Sequence, residues 1–99
     1  MAHVEFLPRV YQDLQRIVSH LEQHEVEHVP DRLGELVSAF DVLTDNPLIG
    51  RPIHGDLREL VIGRSARGYV ALYQYAAALE TVFVLGVRAQ RESGYPSDA

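Results

Sequence analysis

Two stretches near the C-terminus decide the fold: Tyr69-Val70-Ala71-Leu72-Tyr73-Gln74-Tyr75 and Thr81-Val82-Phe83-Val84-Leu85-Gly86-Val87. Both are rich in β-branched and aromatic residues, which suit a pleated, half-buried surface. In the first, alternation puts Tyr69, Ala71, Tyr73 and Tyr75 on one side and Val70 and Leu72 on the other. The second is nearly unbroken in its apolarity, as expected of a central strand covered on at least one face. Residues 76–79 carry only a weak turn signal, and the hairpin is placed there because β-rich sequence resumes at Thr81. Upstream, residues 57–62 read as a third strand, and residues 63–68 as a polar connection carrying Arg64 and Arg67.

Earlier in the chain the period changes. Val10, Tyr11, Leu14, Ile17, Val18 and Leu21 recur at steps of three and four, forming the apolar stripe of a helix that starts at Pro8 and frays near His28. Pro30 opens a second helix, with Asp31 in its first turn and Leu33, Leu36, Val37, Phe40 and Leu43 as its stripe. Asp45-Asn46-Pro47 stops it, and the Gly- and Pro-punctuated residues 49–56 read as a loop. His3-Val4-Glu5-Phe6-Leu7 alternates as a short first strand. The expected order is therefore β-α-α-β-β-β, an α+β fold with a helical hairpin packed on one face of a small sheet. Two helices cover only one face, so the other is expected to stay partly open and to gather Tyr and Arg side chains.

The 99 residues form one domain, 1–99, with a polar tail from about residue 89. An apolar content of 46 % argues against wholesale disorder, and the absence of cysteine excludes disulfides and thiolate chemistry. No run approaches the roughly 20 apolar residues of a spanning helix, and the N-terminus lacks a basic leader, so no membrane role and a cytoplasmic location are expected. The net charge of −5 is uneven. Residues 1–50 hold nine acids and three arginines, a net −6, whereas residues 51–99 hold six arginines and five acids, a net +1. Every basic side chain is Arg, whose planar fork suits bidentate contacts to carboxylate or phosphate.

His24-Glu25-Val26-Glu27-His28 fits H-E-x-x-H, in which two imidazoles on one helix face hold zinc and the Glu activates water. Against a zinc hydrolase stand Pro30, two residues on, and the need for a third ligand, for which the only later histidine is His54 in a loop. We therefore expect no metal and no other cofactor, with His24, Glu25 and His28 a charged helix end. The stronger constellation is cationic and aromatic. With the last strands antiparallel, Arg88 returns beside the Arg67 end of the middle strand, which groups Arg67, Tyr69, Tyr73 and Arg88 with Tyr95 nearby. Such a patch can hold phosphates and bases or receive an acidic, apolar peptide. Arg58 and Glu59 fall on opposite strand faces, and Arg58 is expected in a structural ion pair or a partner contact.

The order and spacing of several short segments resemble one family. They are Asp13-Leu14 with Ile17, Leu43 and Asn46-Pro47 with Gly50-Arg51, Leu57-Arg58-Glu59-Leu60, residues 69–73, and Val84-Leu85-Gly86-Val87-Arg88-Ala89-Gln90-Arg91-Glu92-Ser93-Gly94-Tyr95. From Val4 to Tyr95 the chain is similar to the RelE/ParE superfamily of bacterial type II toxin–antitoxin toxins, nearer the ParE, plasmid-stabilisation branch. The resemblance implies a helical hairpin on a small, curved antiparallel sheet with the N-terminal strand as an edge partner. It also implies a co-encoded antitoxin that wraps and blocks the toxin, in a hetero-oligomer or beside a toxin homodimer. Two toxic activities occur in the superfamily, poisoning of DNA gyrase and ribosome-dependent mRNA cleavage.

The chain departs from the nuclease pattern, which commonly has Arg where Tyr69 stands and a histidine where Ala89 stands. Cleavage through a 2′-OH needs a proton acceptor, a donor and charge stabilisation. Arg67, Arg88 and Tyr95 would serve a nuclease, with Glu59 or Glu92 as base. The preferred expectation is a toxin that inhibits growth by binding gyrase rather than by catalysis. In that reading the helical hairpin and Arg88, Gln90, Arg91 and Tyr95 contact the target, and Arg58, Tyr69 and Tyr73 receive the antitoxin. The alternatives are a ribosome-dependent endoribonuclease acting on mRNA, an inactive or attenuated binding module, and the zinc hydrolase.

Overall fold

The computed structural model describes residues 1–23, 29–63 and 68–90. Its elements run β1 (His3–Phe6), α1 (Pro8–Gln23), α2 (Val29–Ser38), a 3₁₀ turn (Ala39–Asp41), α3 (Val42–Asp45), β2 (Arg51–His54), β3 (Leu57–Ile62), β4 (Tyr69–Ala76), a second 3₁₀ turn (Ala77–Leu79) and β5 (Thr81–Ala89). The five strands form one sheet in the order β1-β5-β4-β3-β2. β1 is the expected edge partner, but it runs parallel to β5, so the sheet is mixed; the other neighbours are antiparallel. Among the described residues no helix is long and apolar enough to cross a membrane.

The helices lie on one face of the sheet. α1 buries Val10, Ile17 and Leu21 against β5, along with the carboxylate of Asp13. Tyr11, which the 3-and-4 spacing assigned to this stripe, is 58 % exposed, because Val10, Leu14, Ile17 and Leu21 already fill the arc that faces the sheet. In the second helical segment Leu36, Phe40 and Leu43 are buried. The bend at Ala39–Asp41 turns Phe40 onto β1, where its ring meets Phe6 edge to face at 5.1 Å, a contact worth about 0.5–1.5 kcal/mol beyond area burial. The Ala2 N–H donates to Thr44 O at 2.8 Å and ties the chain start to α3.

The segment read as a loop contains β2, hydrogen-bonded to β3. Its sequence hid it because Pro52 cannot serve a central strand, whereas an edge strand tolerates proline. β2 is that edge, and the register slips between Pro52 and His54. Gly55 makes the β2–β3 turn at φ 57°, a left-handed conformation that glycine adopts without strain. The β4–β5 connection falls where expected, with Glu80 in the left-handed region at φ 47°.

β5 does not alternate uniformly. Tyr73 pairs with Val84 and Leu72 with Gly86, which leaves Leu85 as an extra residue. This bulge shifts the phase, so Val82 and Val84 before it and Val87 after it all enter the core. On β4 the helix-facing set is Ala71 and Tyr73, fully buried, flanked by partly buried Tyr69 and Tyr75.

Tyr73 is a core residue with a polar duty. Gly50 N–H donates to its hydroxyl at 2.8 Å, and a Cβ at Gly50 would lie 2.6 Å from that hydroxyl and 2.7 Å from Glu59 O. Arg58, its partner across β3–β4, donates to Leu48 O at 3.1 Å and Gly50 O at 2.8 Å. These bonds bind the turn 46–50 to the sheet. Burial pushes the Tyr73 phenol above 10.0, while the Gly50 N–H and the Arg58 charge pull it down more weakly. Because the folded pKa lies above the unfolded one, stability is complete below about pH 10 and is lost as pH rises through the folded value. Tyr73→Phe is expected to cost about 1–3 kcal/mol in urea unfolding at neutral pH by leaving Gly50 N–H unpaired. The same variant should lack the part of the alkaline loss that the Tyr73 phenol contributes.

Candidate functional site: the helix-free sheet face

Residues directly opposite across a ladder share a face. Glu59 stands opposite Arg51 and Leu72, and Val61, Val70 and Arg88 form a row across β3, β4 and β5. Their sequence neighbours Ile62, Ala71 and Val87 belong to the helix-side core, so this second set faces away from the helices. Val61 there is 51 % exposed. The bulge at Leu85 turns Arg88 outward onto this face.

A charge cluster organises it. Arg51 donates to Glu59 Oε1 through Nη2 at 2.8 Å and Nε at 3.3 Å. Arg88 Nη2 lies 4.0 Å from Glu59 Oε2, and its Nη1 donates to Ala89 O at 3.3 Å. The Glu59 side chain is 9 % exposed and that of Arg88 16 %, whereas the Arg51 side chain is 63 % exposed. The buried partners fix the geometry, and the exposed Arg51 adds little to stability itself. Beyond Arg88, Gln90 N–H donates to Gly68 O at 3.0 Å, and the Gln90 side chain lies where a side chain at residue 68 would stand.

The expected grouping of Arg67, Tyr69, Tyr73, Arg88 and Tyr95 does not form on one face. Tyr69 and Tyr73 point to the helix side and Arg88 to the opposite side. The reason is the direction of alternation: the large β4 residues that could cover an open face fill the core instead. Tyr73 is therefore an internal tie rather than an exposed partner contact. Arg58 and Glu59 do fall on opposite faces, but Glu59 makes the ion pair and Arg58 caps backbone carbonyls. Arg64, Arg67, Arg91, Glu92, Tyr95, His24, Glu25 and His28 lie outside the described residues. Among the described residues no three His, Asp or Glu side chains group as a metal site. Arg51 was missed by sequence reasoning because its strand was read as loop. The signal was present in its eight-residue separation from Glu59 around Gly55.

A family model for the ParE toxin of type II toxin–antitoxin systems matches residues 4–94. The chain belongs to the ParE toxin family. Among solved structures it is similar to the intact Escherichia coli RelBE toxin–antitoxin complex, with a TM-score of 0.63 and 17 % identity over 93 % of this chain and 100 % of that one. It is also similar to the RelBE2 complex from Mycobacterium tuberculosis, with a TM-score of 0.62 and 24 % identity over 92 % and 93 % of the two chains. The isolated E. coli RelE toxin gives 0.60 and 18 % over 94 % and 89 %. At these identities the likeness is one of fold. No match was found among curated protein sequences. This ParE-family toxin thus carries the superfamily fold with a carboxylate set among the arginines of its open face.

If Glu59 neutralises that face, Glu59→Gln should elute from immobilised heparin at higher salt than the wild type, and adding Arg88→Gln should cancel the gain. Identical elution of the wild type and Glu59→Gln would show that Glu59 does not set the charge of this face.

Proposed function

We propose that this toxin arrests growth by binding DNA gyrase, acts in the cytoplasm, and is neutralised by a cognate antitoxin encoded with it. The supporting observation is the composition of the open face: Arg88 lies 4.0 Å from a carboxylate already held by Arg51, in a row with Val61 and Val70. A nuclease face has to receive a phosphodiester and move two protons there. Glu59 lies where it repels phosphate, and it accepts from Arg51 without supplying a donor. Among the described residues this face carries a carboxylate held between two arginines beside the exposed Val61, which suits contact with a protein. Membership of the ParE branch points the same way, and the solved RelBE complexes support an antitoxin as partner.

The second reading, ribosome-dependent mRNA cleavage, is favoured by the outward position of Arg88 and by the fold shared with RelE. The two separate in one pair of assays. Purified toxin should block supercoiling by gyrase and leave mRNA intact in a translating extract. Arg88→Ala should weaken the block by about tenfold or more, as expected when an anchoring arginine is truncated. Translation-dependent mRNA cuts with normal supercoiling would establish the nuclease instead, and inertness in both assays would mark an attenuated homologue.

A further inference from the structure

Beyond Phe6, β1 ends, and Leu7 N–H makes the last backbone bond to β5, at Val84 O, 3.1 Å. Among the described residues, the rest of β5 is paired with β4 on one side and has no strand on the other. A bare edge of this kind leaves backbone N–H and C=O groups without a ladder. Here the vacancy is filled from α1. Asp13 Oδ2 accepts the Val87 N–H at 3.0 Å, and Arg16 Nη2 donates to the Val87 carbonyl at 3.1 Å. A third bond, Arg16 Nη1 to Asp13 Oδ1 at 2.8 Å, locks the two side chains together. They stand three residues apart on one helix face, the spacing at which side chains are neighbours. One acceptor and one donor aimed at a single residue reproduce what a peptide of an adjoining strand would offer.

The pair is more than a packing contact. Asp13 is 4 % exposed within a stripe otherwise made of Val10, Leu14, Ile17 and Leu21, and an apolar side chain there would pack without the cost of burying a carboxylate. What an apolar side chain could not do is fix the orientation of the peptide groups around Val87. Those groups set the direction of Arg88, one residue on and on the opposite face. We infer that Asp13 and Arg16 act as a side-chain substitute for a strand, and that this substitute positions Arg88 for its target. The inference rests on the proposed role of Arg88 in target contact and adds two positioning residues to it. It also joins two separated segments of sequence, around Asp13 and around Val87.

The test uses the full chain and its antitoxin. Arg16→Met keeps the alkyl stem and removes both donors. It is expected to retain the far-UV circular dichroism of the wild type and to bind antitoxin within about twofold of it, while the Val87 amide exchanges about tenfold faster or more. Gyrase inhibition should fall by about tenfold or more, and Arg16→Lys should recover most of it, since one ammonium can bridge the Asp13 carboxylate and the Val87 carbonyl. Asp13→Asn, which keeps an acceptor for Val87 N–H but cannot pair with Arg16 as an anion, should fall between. Faster exchange at Val87 with full inhibition would overturn the inference, as would unchanged exchange in Arg16→Met. If the wild type leaves gyrase untouched, it is the target reading that fails. The ordering of the Arg88 Nε–H resonance in Arg16→Met then decides positioning separately: broadening supports it, and an unchanged signal overturns it.

Discussion

One extra residue in β5 governs both faces of the sheet. With Leu85 unpaired, Val82, Val84 and Val87 all project under α1, and Arg88 emerges on the far side. In an unbroken strand the same register at Val84 would send Val87 outward and aim Arg88 at the helices, because a slip of one residue exchanges the faces of everything beyond it. A guanidinium directed into this core would lack the carboxylate it faces now, Glu59. The bulge therefore couples core packing to the placement of the candidate functional arginine.

Polar groups inside the molecule serve the backbone more than chemistry. Tyr73 and Arg58 hold the turn 46–50, while Asp13 and Arg16 complete the edge of β5. Each satisfies main-chain groups where regular structure ends, which is where buried N–H and C=O groups would otherwise be left exposed to an apolar surround. The open face is the exception. There Glu59 meets side chains rather than backbone, and the resulting contact balances charge between strands β2, β3 and β5.

Much of this was legible in the sequence and some was not, for identifiable reasons. The helical stripes of Val10 to Leu21 and Leu33 to Leu43, the strands around Leu60, Ala71 and Val84, and the family itself follow from periods and motif order. β2 did not, because Pro52 and the neighbouring glycines carry the same signature in an edge strand as in a loop. The parallel setting of β1 depends on a contact some 80 residues away along the chain, which local pattern does not encode. Nor could alternation say which face of β4 was inner. Tyrosines suit either side, and the choice of the helix side for Tyr73 was made by a hydroxyl that finds Gly50. Arg88 was found from its motif, whereas the Asp13–Arg16 pair needed the three-dimensional register.

In the proposed reading this toxin works by occupying its target rather than by turnover, through a face on which the largely buried Arg88 stands beside a neutralising carboxylate. The most direct measurement is a titration of purified toxin against a fixed amount of gyrase, counting supercoiling events lost per toxin molecule added. Inhibition that saturates at comparable molar amounts of toxin and gyrase is the predicted result. A small molar fraction of toxin that consumes many substrate molecules, with product still accumulating over time, would contradict it.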